Sequence, residues 1–237
     1  ENVFHIIDNK EKTQPESYMG KKIRNNDAFK IPFIENFLSN RTRAMLQIQQ
    51  WCDHRCTFCI IPFGRGDSKS LAFDEISKRV GKIVNDGFSE IILTGVDLTS
   101  YGQDLPGKPR LGNILKRLFQ IHTRLKRLRL SSIDPAEIDN DLFELLVSEK
   151  RILPHLHLSL QSGDNLILKR MKRRHTREKV IHICKEIKSI RPEFTFGADV
   201  IVGFPTEEEK QFHNTTQLIR CCGFSNVHIF PYSPKKG

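Results

Sequence analysis

Hydrophobic and polar positions follow two alternating periods along most of the chain. Short runs rich in β-forming residues occur at residues 44–49, 90–94, 127–131, 155–160, 195–202 and 226–230. Between these runs, apolar residues recur at helical spacing, as in Phe73, Ile76, Val80 and Ile83. Alternating strands and helices predict βαβ units around a parallel sheet. Six strands fit either an open doubly wound sheet or most of a barrel, and periodicity does not choose between them.

The two ends of the chain differ in pattern. Residues 1–40 are polar and lack a period, which predicts an irregular linker, with residues 31–34 as its one apolar anchor. Residues 41–237 carry the strand–helix pattern and form the predicted core domain. The stretch Thr206-Glu-Glu-Glu209 is typical of a capping box, so we expect the last helix to start there.

Composition favours a cytoplasmic protein with no membrane segment. The apolar and charged fractions, 38% and 28%, are those of a folded globular chain. No run approaches the roughly 18 apolar residues of a membrane span, and the first residues lack the features of a secretion signal. The first residue is Glu1 and not Met, so we expect a piece of a longer protein.

Positive charge is concentrated in the chain. The net charge is +10, and residues 169–179 contain seven Lys or Arg against one acid, Glu178. A second basic group lies at residues 124–129. Such charge can serve solubility alone, or it can attract a polyanion by releasing counterions from phosphates. The uneven distribution favours an RNA partner.

The six cysteines divide into two sets. Cys184, Cys221 and Cys222 lie in helical segments and are predicted to be buried core thiols. Cys52, Cys56 and Cys59 fall within eight residues directly after the first strand, too close together for a disulfide framework. Structural zinc usually takes four ligands, and His54 is badly placed as a fourth. Three thiolates suit a [4Fe–4S] cluster with one iron left open.

The spacing Cys52-x3-Cys56-x2-Cys59, with Phe58 before the last Cys, resembles the signature of radical S-adenosylmethionine (radical SAM) enzymes. The resemblance implies a partial (β/α)6 barrel with the cluster loop at its C-terminal face. It also implies two cofactors, a [4Fe–4S] cluster and S-adenosyl-L-methionine. In that family the open iron binds the methionine moiety, and one electron then breaks a C–S bond to give the 5′-deoxyadenosyl radical.

Further stretches are similar to the methylthiotransferase branch of that family. They are residues 52–66, 93–102, 158–163, 171–176 and 199–205. Within the branch, residues 53–62 are most similar to enzymes that methylthiolate C2 of N6-threonylcarbamoyladenosine at tRNA position 37. This implies the tRNA anticodon loop and an electron donor, such as flavodoxin or ferredoxin, as partners. An enzyme for isopentenyladenosine or a ribosomal protein, an inactive remnant, and a zinc-binding RNA module are the alternatives.

The chain departs from the branch in three places. The N-terminal domain with a second cluster would precede Glu1, and the C-terminal RNA-binding TRAM domain would follow Gly237. Residues 1–40 would then be a linker or a remnant of the N-terminal domain, and the missing part would belong either to a longer protein or to a separate polypeptide. The residue before the first cluster Cys is usually Gly, but here it is Trp51, which predicts a strained loop.

Five residues are predicted to contact the cofactor. Gly95 and Asp97 follow the second strand, where the resemblance implies a contact with the methionine amino group. Ser159 and Gln161 alternate with leucines, so both should point to the interior of the barrel. Asp199 enters an apolar strand and requires a partner, either a ribose hydroxyl or an Arg. The competing interpretation for Gly95 and Asp97 is an ordinary turn.

Overall fold

The computed structural model describes residues 42–234, and residues 1–41, including the proposed anchor at 31–34, lie outside it. Eight strands are formed: β1 (Arg43–Gln47), β2 (Gln49–Gln50), β3 (Lys69–Ser70), β4 (Glu90–Thr94), β5 (Arg127–Leu130), β6 (His155–Gln161), β7 (Thr195–Val202) and β8 (Asn226–Pro231). Six of them pair in parallel, in the orders β1-β4-β5 and β6-β7-β8. Ile133 joins the two sheets through a parallel bridge to Leu158. The result is the predicted α/β architecture, a partial (β/α)6 barrel that stays open.

Seven helices follow the strands in the described part of the chain. They are α1 (Ile61–Arg65), α2 (Phe73–Asn85), α3 (Leu111–Ile121), α4 (Asn140–Ser148), α5 (Asn165–Arg170), α6 (Arg177–Ile190) and α7 (Glu209–Cys222). Side chains fix several starts. Asp139 accepts a hydrogen bond from the N–H of Leu142, 2.8 Å away, and Thr176 accepts one from Lys179. These caps place α4 and α6 where the apolar period predicted them.

The core lies between the strands and the helices. Leu156, Leu158 and Leu160 of β6 are fully buried against it, as are Phe196 and Ala198 of β7. The residues between them point to the opposite face, because side chains alternate along a strand. This inner face is polar and only partly buried, so it has the character of a site and not of a core.

The predicted start of α7 was wrong. Thr206 has a φ of 70°, whereas a helix N-cap takes an extended backbone, and its hydroxyl is bonded to Arg170. The capping box lies two residues further on, between Glu208 and Gln211. At the other end of α7, Cys221 is exposed, so the prediction of a buried thiol failed there, although Cys184 and Cys222 are buried as expected.

A short antiparallel pair of strands holds the loop that follows β1. The short strands β2 and β3 form an antiparallel pair that extends the first strand and holds both ends of residues 51–68. The loop therefore lies at the C-terminal ends of the parallel strands, where barrel enzymes build their sites.

Within the described chain, no helix combines the length and the hydropathy needed to cross a bilayer.

Candidate metal centre

The cluster loop, residues 51–59, is tied to the barrel at both of its sides. On one side Asp53 Oδ1 accepts a hydrogen bond of 2.7 Å from the backbone N–H of Ser68. On the other side the Thr57 N–H donates to the carbonyl of Met171 at 3.2 Å, and the Phe58 ring packs against Met171 and its apolar neighbours. The loop thus spans from the β2–β3 pair to the end of α5.

Trp51 begins this loop in a conformation that suits glycine. Its φ is 65°, in the left-handed region that side chains disfavour. The strain predicted from the unusual Trp is therefore present. Trp51 is nevertheless buried, with 7% of its surface exposed, and the free energy gained by burying this large side chain offsets the strained backbone.

Gln49 connects the cluster loop with the segment after β4. Its fully buried amide nitrogen lies 2.8 Å from the Trp51 carbonyl and 2.9 Å from Ser68 Oγ. Its amide oxygen accepts a 2.9 Å hydrogen bond from the N–H of Asp97. A Cβ on Gly95 would lie 2.8 Å from that same oxygen, so Gly95 leaves the room that Gln49 occupies.

The three thiols of the cluster loop form a donor set of sulfur alone. Cys56 is buried, whereas Cys52 and Cys59 are partly exposed. A structural zinc ion usually takes four ligands, whereas thiolates hold iron–sulfur clusters, so three thiolates fit a [4Fe–4S] cube with one iron left open. That these cysteines are the ligands stays a prediction.

Asp97 is the polar centre of this region. Cys52 Sγ lies 3.5 Å and His54 Nε2 lies 2.7 Å from Asp97 Oδ2. Burial, together with the Asp97 charge, raises the pKa of Cys52 to about 12. Hydrogen bonds to Asp97 and Glu137 raise the pKa of His54 to about 10. The two carboxylates therefore favour the protonated form of His54 and hold its ring in place.

A network of ion pairs extends from His54 across the strand ends. Glu137 accepts a hydrogen bond of 3.0 Å from Arg174, and Arg173 lies 3.1 Å from Asp134. Burial raises the pKa of Asp134, but the neighbouring His175 and Arg173 outweigh it, so the pKa lies below its ordinary value. Both carboxylates are thus ionised and paired.

Arg173 brings one predicted cofactor residue close to the cluster loop. Its guanidinium donates to the Ser159 carbonyl at 2.7 Å and reaches Cys56 Sγ at 3.7 Å. The Arg173 side chain therefore bridges the Ser159 carbonyl and Cys56 Sγ. Gln161 follows on the same strand with a φ of 66°, at an irregularity in the β6–β7 register. Asp97 lies beside Cys52, and Gly95 lies beside Gln49, whereas their contact with the cofactor stays a prediction.

Asp199 belongs to a separate group. Its carboxylate lies 2.9 Å from His157 Nε2 and 3.1 Å from His228 Nδ1. Its protein partners in the structure are thus two histidines and not the Arg considered from the sequence. Its predicted contact with the cofactor remains a prediction.

The basic segment 169–179 is only partly available to a partner, contrary to its interpretation as one phosphate-binding run. Arg173 is paired with Asp134, Arg177 donates to the Gly163 carbonyl, and Lys179 donates to the Ala136 carbonyl. These cations hold the fold because buried carbonyls and carboxylates require donors. Lys169, Arg170, Lys172 and Arg174 are the exposed cations of this segment, and Arg174 contacts His54 of the cluster loop.

Comparison with known proteins decides the family. The family model described as the radical SAM superfamily matches residues 46–219, well over half of the chain. The chain belongs to the radical SAM superfamily. The match begins in β1 and ends in α7, so it contains the cluster loop and all but the last of the six parallel strands.

Two curated relatives show which radical SAM proteins the chain resembles in sequence. The chain is 47% identical over 99% of its length to the threonylcarbamoyladenosine tRNA methylthiotransferase MtaB of Rickettsia prowazekii, of which it covers 57%. It is 36% identical over 84% of its length to the tRNA-2-methylthio-N(6)-dimethylallyladenosine synthase of Shouchella clausii, of which it covers 38%. The chain therefore spans about half the length of the curated relatives it matches.

Solved radical SAM structures share the fold at low identity. The methyltransferase TsrM of Kitasatospora setae, solved with cobalamin and a [4Fe–4S] cluster bound, superposes with a TM-score of 0.65 at 13% identity. The similarity covers 79% of this chain and 36% of that one. At this identity the comparison supports the architecture alone.

Several polar residues of this radical SAM site were not predicted from the sequence. Gln49, Asp134 and Glu137 carry no motif, and His54 was considered only as a metal ligand. One signal was available for Asp134, which follows β5 and precedes a proline, because polar residues at the ends of parallel strands gather at one edge. Nothing in the sequence marks Gln49, since its role depends on a hydrogen bond from Asp97, which lies 48 residues away in the same chain.

Proposed function

We propose that this chain is the radical SAM core of a tRNA methylthiotransferase that acts on C2 of N6-threonylcarbamoyladenosine at position 37. One observation carries the proposal: the 47% identity to MtaB extends over 99% of the chain, cluster loop included. Relatives named MtaB range from 33% to 47% identity, and the dimethylallyladenosine synthase has 36%, so the substrate rests on the most extensive match. Such a substrate would place the protein in the cytoplasm, with tRNA.

In this proposal Cys52, Cys56 and Cys59 hold a [4Fe–4S] cluster, and S-adenosylmethionine binds at the open iron. When bound, the pair supplies a one-electron cleavage of a C–S bond, which provides hydrogen abstraction at an unreactive adenine carbon. The electron would come from a donor such as flavodoxin or ferredoxin. Gly95, Asp97, Ser159, Gln161 and Asp199 are the proposed cofactor contacts.

The chain's own residues orient this site. Gln49 fixes the start of the loop relative to Asp97, because one amide binds the backbone of both. The carboxylate of Asp97 suits an ammonium group, and its bond to the His54 imidazolium holds it in one orientation. Arg173 sets the distance between Cys56 and β6.

The surface beside the loop suits an anticodon loop. Thr57 Oγ1 donates to the Arg170 carbonyl at 2.9 Å, so the exposed cations Lys169, Arg170 and Lys172 lie next to the cluster loop. On α1, Phe63 is 72% exposed, and the Arg55 guanidinium lies 5.6 Å from its ring centre. Cations bind phosphates, and exposed aromatic rings stack on unpaired bases.

Activity is tested on the anaerobically reconstituted, reduced chain. We expect S-adenosylmethionine to be cleaved to 5′-deoxyadenosine, and the Cys56→Ala variant to lose both its iron and this cleavage. Cys184→Ala is the matched control, because its thiol is buried in the core away from the loop. Equal loss of iron from both variants would contradict the assignment of ligands.

Mass spectrometry of the treated tRNA tests the substrate. The chain spans about half the length of the curated relatives it matches, so the assay includes the remaining part of MtaB as an added polypeptide. In this mixture tRNA containing N6-threonylcarbamoyladenosine should be modified and tRNA containing the dimethylallyl base should not. The reverse preference would overturn the substrate, and no cleavage of S-adenosylmethionine would favour an inactive remnant.

Salt dependence tests the RNA surface. Replacing Lys169 and Lys172 by Glu should weaken tRNA binding and reduce the slope of log affinity against log salt by about 1.5, the value for two lost phosphate contacts. Lys185 and Lys210 replaced by Glu give a control of equal net charge on exposed helix positions elsewhere. An equal effect in both double variants would mean that net charge, and not this surface, attracts the tRNA.

A further inference from the structure

Three ligand-type side chains converge on the inner face of the second sheet. His157, Asp199 and His228 come from the adjacent strands β6, β7 and β8. Their nearest nitrogen and oxygen atoms all lie within 4.8 Å of one another. The neighbours of these residues along β6 and β7, such as Leu158 and Ala198, are buried in the core, so this trio points away from the helices and into the open side of the barrel.

Strand register explains the convergence. Asp199 is paired directly with His228, whereas His157 is paired with Gly197, two residues before Asp199. The His157 imidazole crosses β7 above Gly197, where a Cβ would lie only 2.7 Å from its Nδ1. Any larger residue at position 197 would displace the ring. The glycine is therefore part of what brings His157 to Asp199.

The spacing of the donor atoms suits one metal ion. Asp199 Oδ1 lies 2.9 Å from His157 Nε2 and 3.1 Å from His228 Nδ1. Two ligands on bonds of about 2.1 Å lie about 3.4 Å apart at the tetrahedral angle that zinc prefers and about 3.0 Å apart at right angles, so the observed spacings are close to those on one ion. Partial burial raises the pKa of Asp199, but hydrogen bonds from the two histidines outweigh it, so the pKa lies below its ordinary value and the carboxylate is ionised.

Two imidazoles and one carboxylate are also the ligand set that binds divalent first-row metals while leaving coordination positions open. His228 is 55% exposed at its side chain, so a solvent path to the trio exists in the described structure. We propose that His157, Asp199 and His228 bind one divalent transition-metal ion, with zinc as the probe, at a site separate from the cluster loop, so that Asp199 holds either this ion or the cofactor.

The test is zinc binding to the chain whose cluster has been reconstituted anaerobically, so that the loop cysteines are occupied. After dialysis against micromolar zinc, elemental analysis should find one zinc per chain in addition to the cluster iron. His157→Ala and Asp199→Asn should each lower the zinc affinity at least tenfold. His155→Ala is the matched control, because this histidine lies on the same face of β6 but bonds to Thr195 at 2.8 Å.

Two further measurements keep the result unambiguous. Gly197→Ala retains all three ligands and should still weaken zinc binding, because it displaces the His157 ring; unchanged iron content and circular dichroism verify folding. Zinc X-ray absorption should show only nitrogen and oxygen neighbours at about 2.0–2.1 Å. A sulfur neighbour, equal zinc in His157→Ala and wild type, or no bound zinc would overturn the proposal, the last leaving a plain hydrogen-bonded trio. The S-adenosylmethionine affinity of Asp199→Asn, measured in parallel, tests the separate cofactor prediction.

Discussion

Replacing Gln49 by Met is the most informative perturbation of the cluster loop. Methionine has a similar length and shape, so the substitution removes the amide while keeping most of the volume. The amide nitrogen of Gln49 lies within 2.9 Å of two carbonyls, those of Gln50 and Trp51, and of the Ser68 hydroxyl. Its oxygen serves the N–H of Asp97. All these contacts are buried.

The magnitude follows from this geometry. The amide carries two protons and so serves two of its three acceptors at a time, which makes three hydrogen bonds with the one it accepts. Each contributes about 1 kcal/mol, and a buried N–H left without a partner at Asp97 costs about 1–3 kcal/mol more. We therefore expect Gln49→Met to lower the free energy of unfolding by about 4–6 kcal/mol.

Urea denaturation of the metal-free chain measures this loss. Gln120→Met is the control, since Gln120 is exposed on α3 and the same chemical change there should stay within about 0.5 kcal/mol. Reconstituted Gln49→Met should also take up less iron, because the loop start and Asp97 lose their common anchor. A loss below about 1 kcal/mol, relative to the control, would refute the bridging role of this amide.

Three other substitutions test the packing and charges of the described chain. Gly112→Ala should lower the free energy of unfolding, measured by urea denaturation, by more than about 2 kcal/mol, the scale of overpacking, because the new Cβ would lie 2.3 Å from the Leu142 nitrogen. Gly64→Ala is the control, since its Cβ meets nothing within 4 Å and the change should be neutral. The lowered pKa of Asp134 stabilises the fold above its unfolded value of 3.8, and this stability is lost as the pH falls through the lower folded value; Asp134→Asn should therefore be less stable at neutral pH and should flatten the acid limb of a stability–pH curve. Trp51→Gly should relieve about 1–2 kcal/mol of backbone strain but lose about 3–5 kcal/mol of burial, so a net gain in unfolding free energy would show that strain dominates.

The strands could be predicted closely because each has a run of β-forming residues with helical periods on either side. The run at 90–94 became β4 and that at 195–202 became β7, with the same bounds. The β2–β3 pair and the helices α1 and α5 were not predicted, because two to six residues are too few to display a period. These short elements are held in place by tertiary contacts, such as the hydrogen bond from Thr57 to Met171.

The candidate site divides in the same way. Cys52, Asp97 and Ser159 could be placed near one another because all follow or end parallel strands, whose C-terminal ends meet at one edge. The uses of Arg173 and Thr206 could not be predicted. A buried ion pair to Asp134 and a positive φ are set by residues distant in sequence or by local backbone geometry, and neither leaves a mark in composition or spacing.

The order of the parallel strands also bears on how the chain acquires its structure. Every parallel pair joins a strand to the next long strand along the chain, between residues roughly 30 to 50 positions apart. Each unit can therefore add to the one before it as synthesis proceeds, without waiting for a distant terminus. The contact of Thr57 with Met171 is different, since it must wait until α5 has been made. The cluster loop would thus become ordered later than the β1-β4-β5 sheet, which is complete before α5 is made.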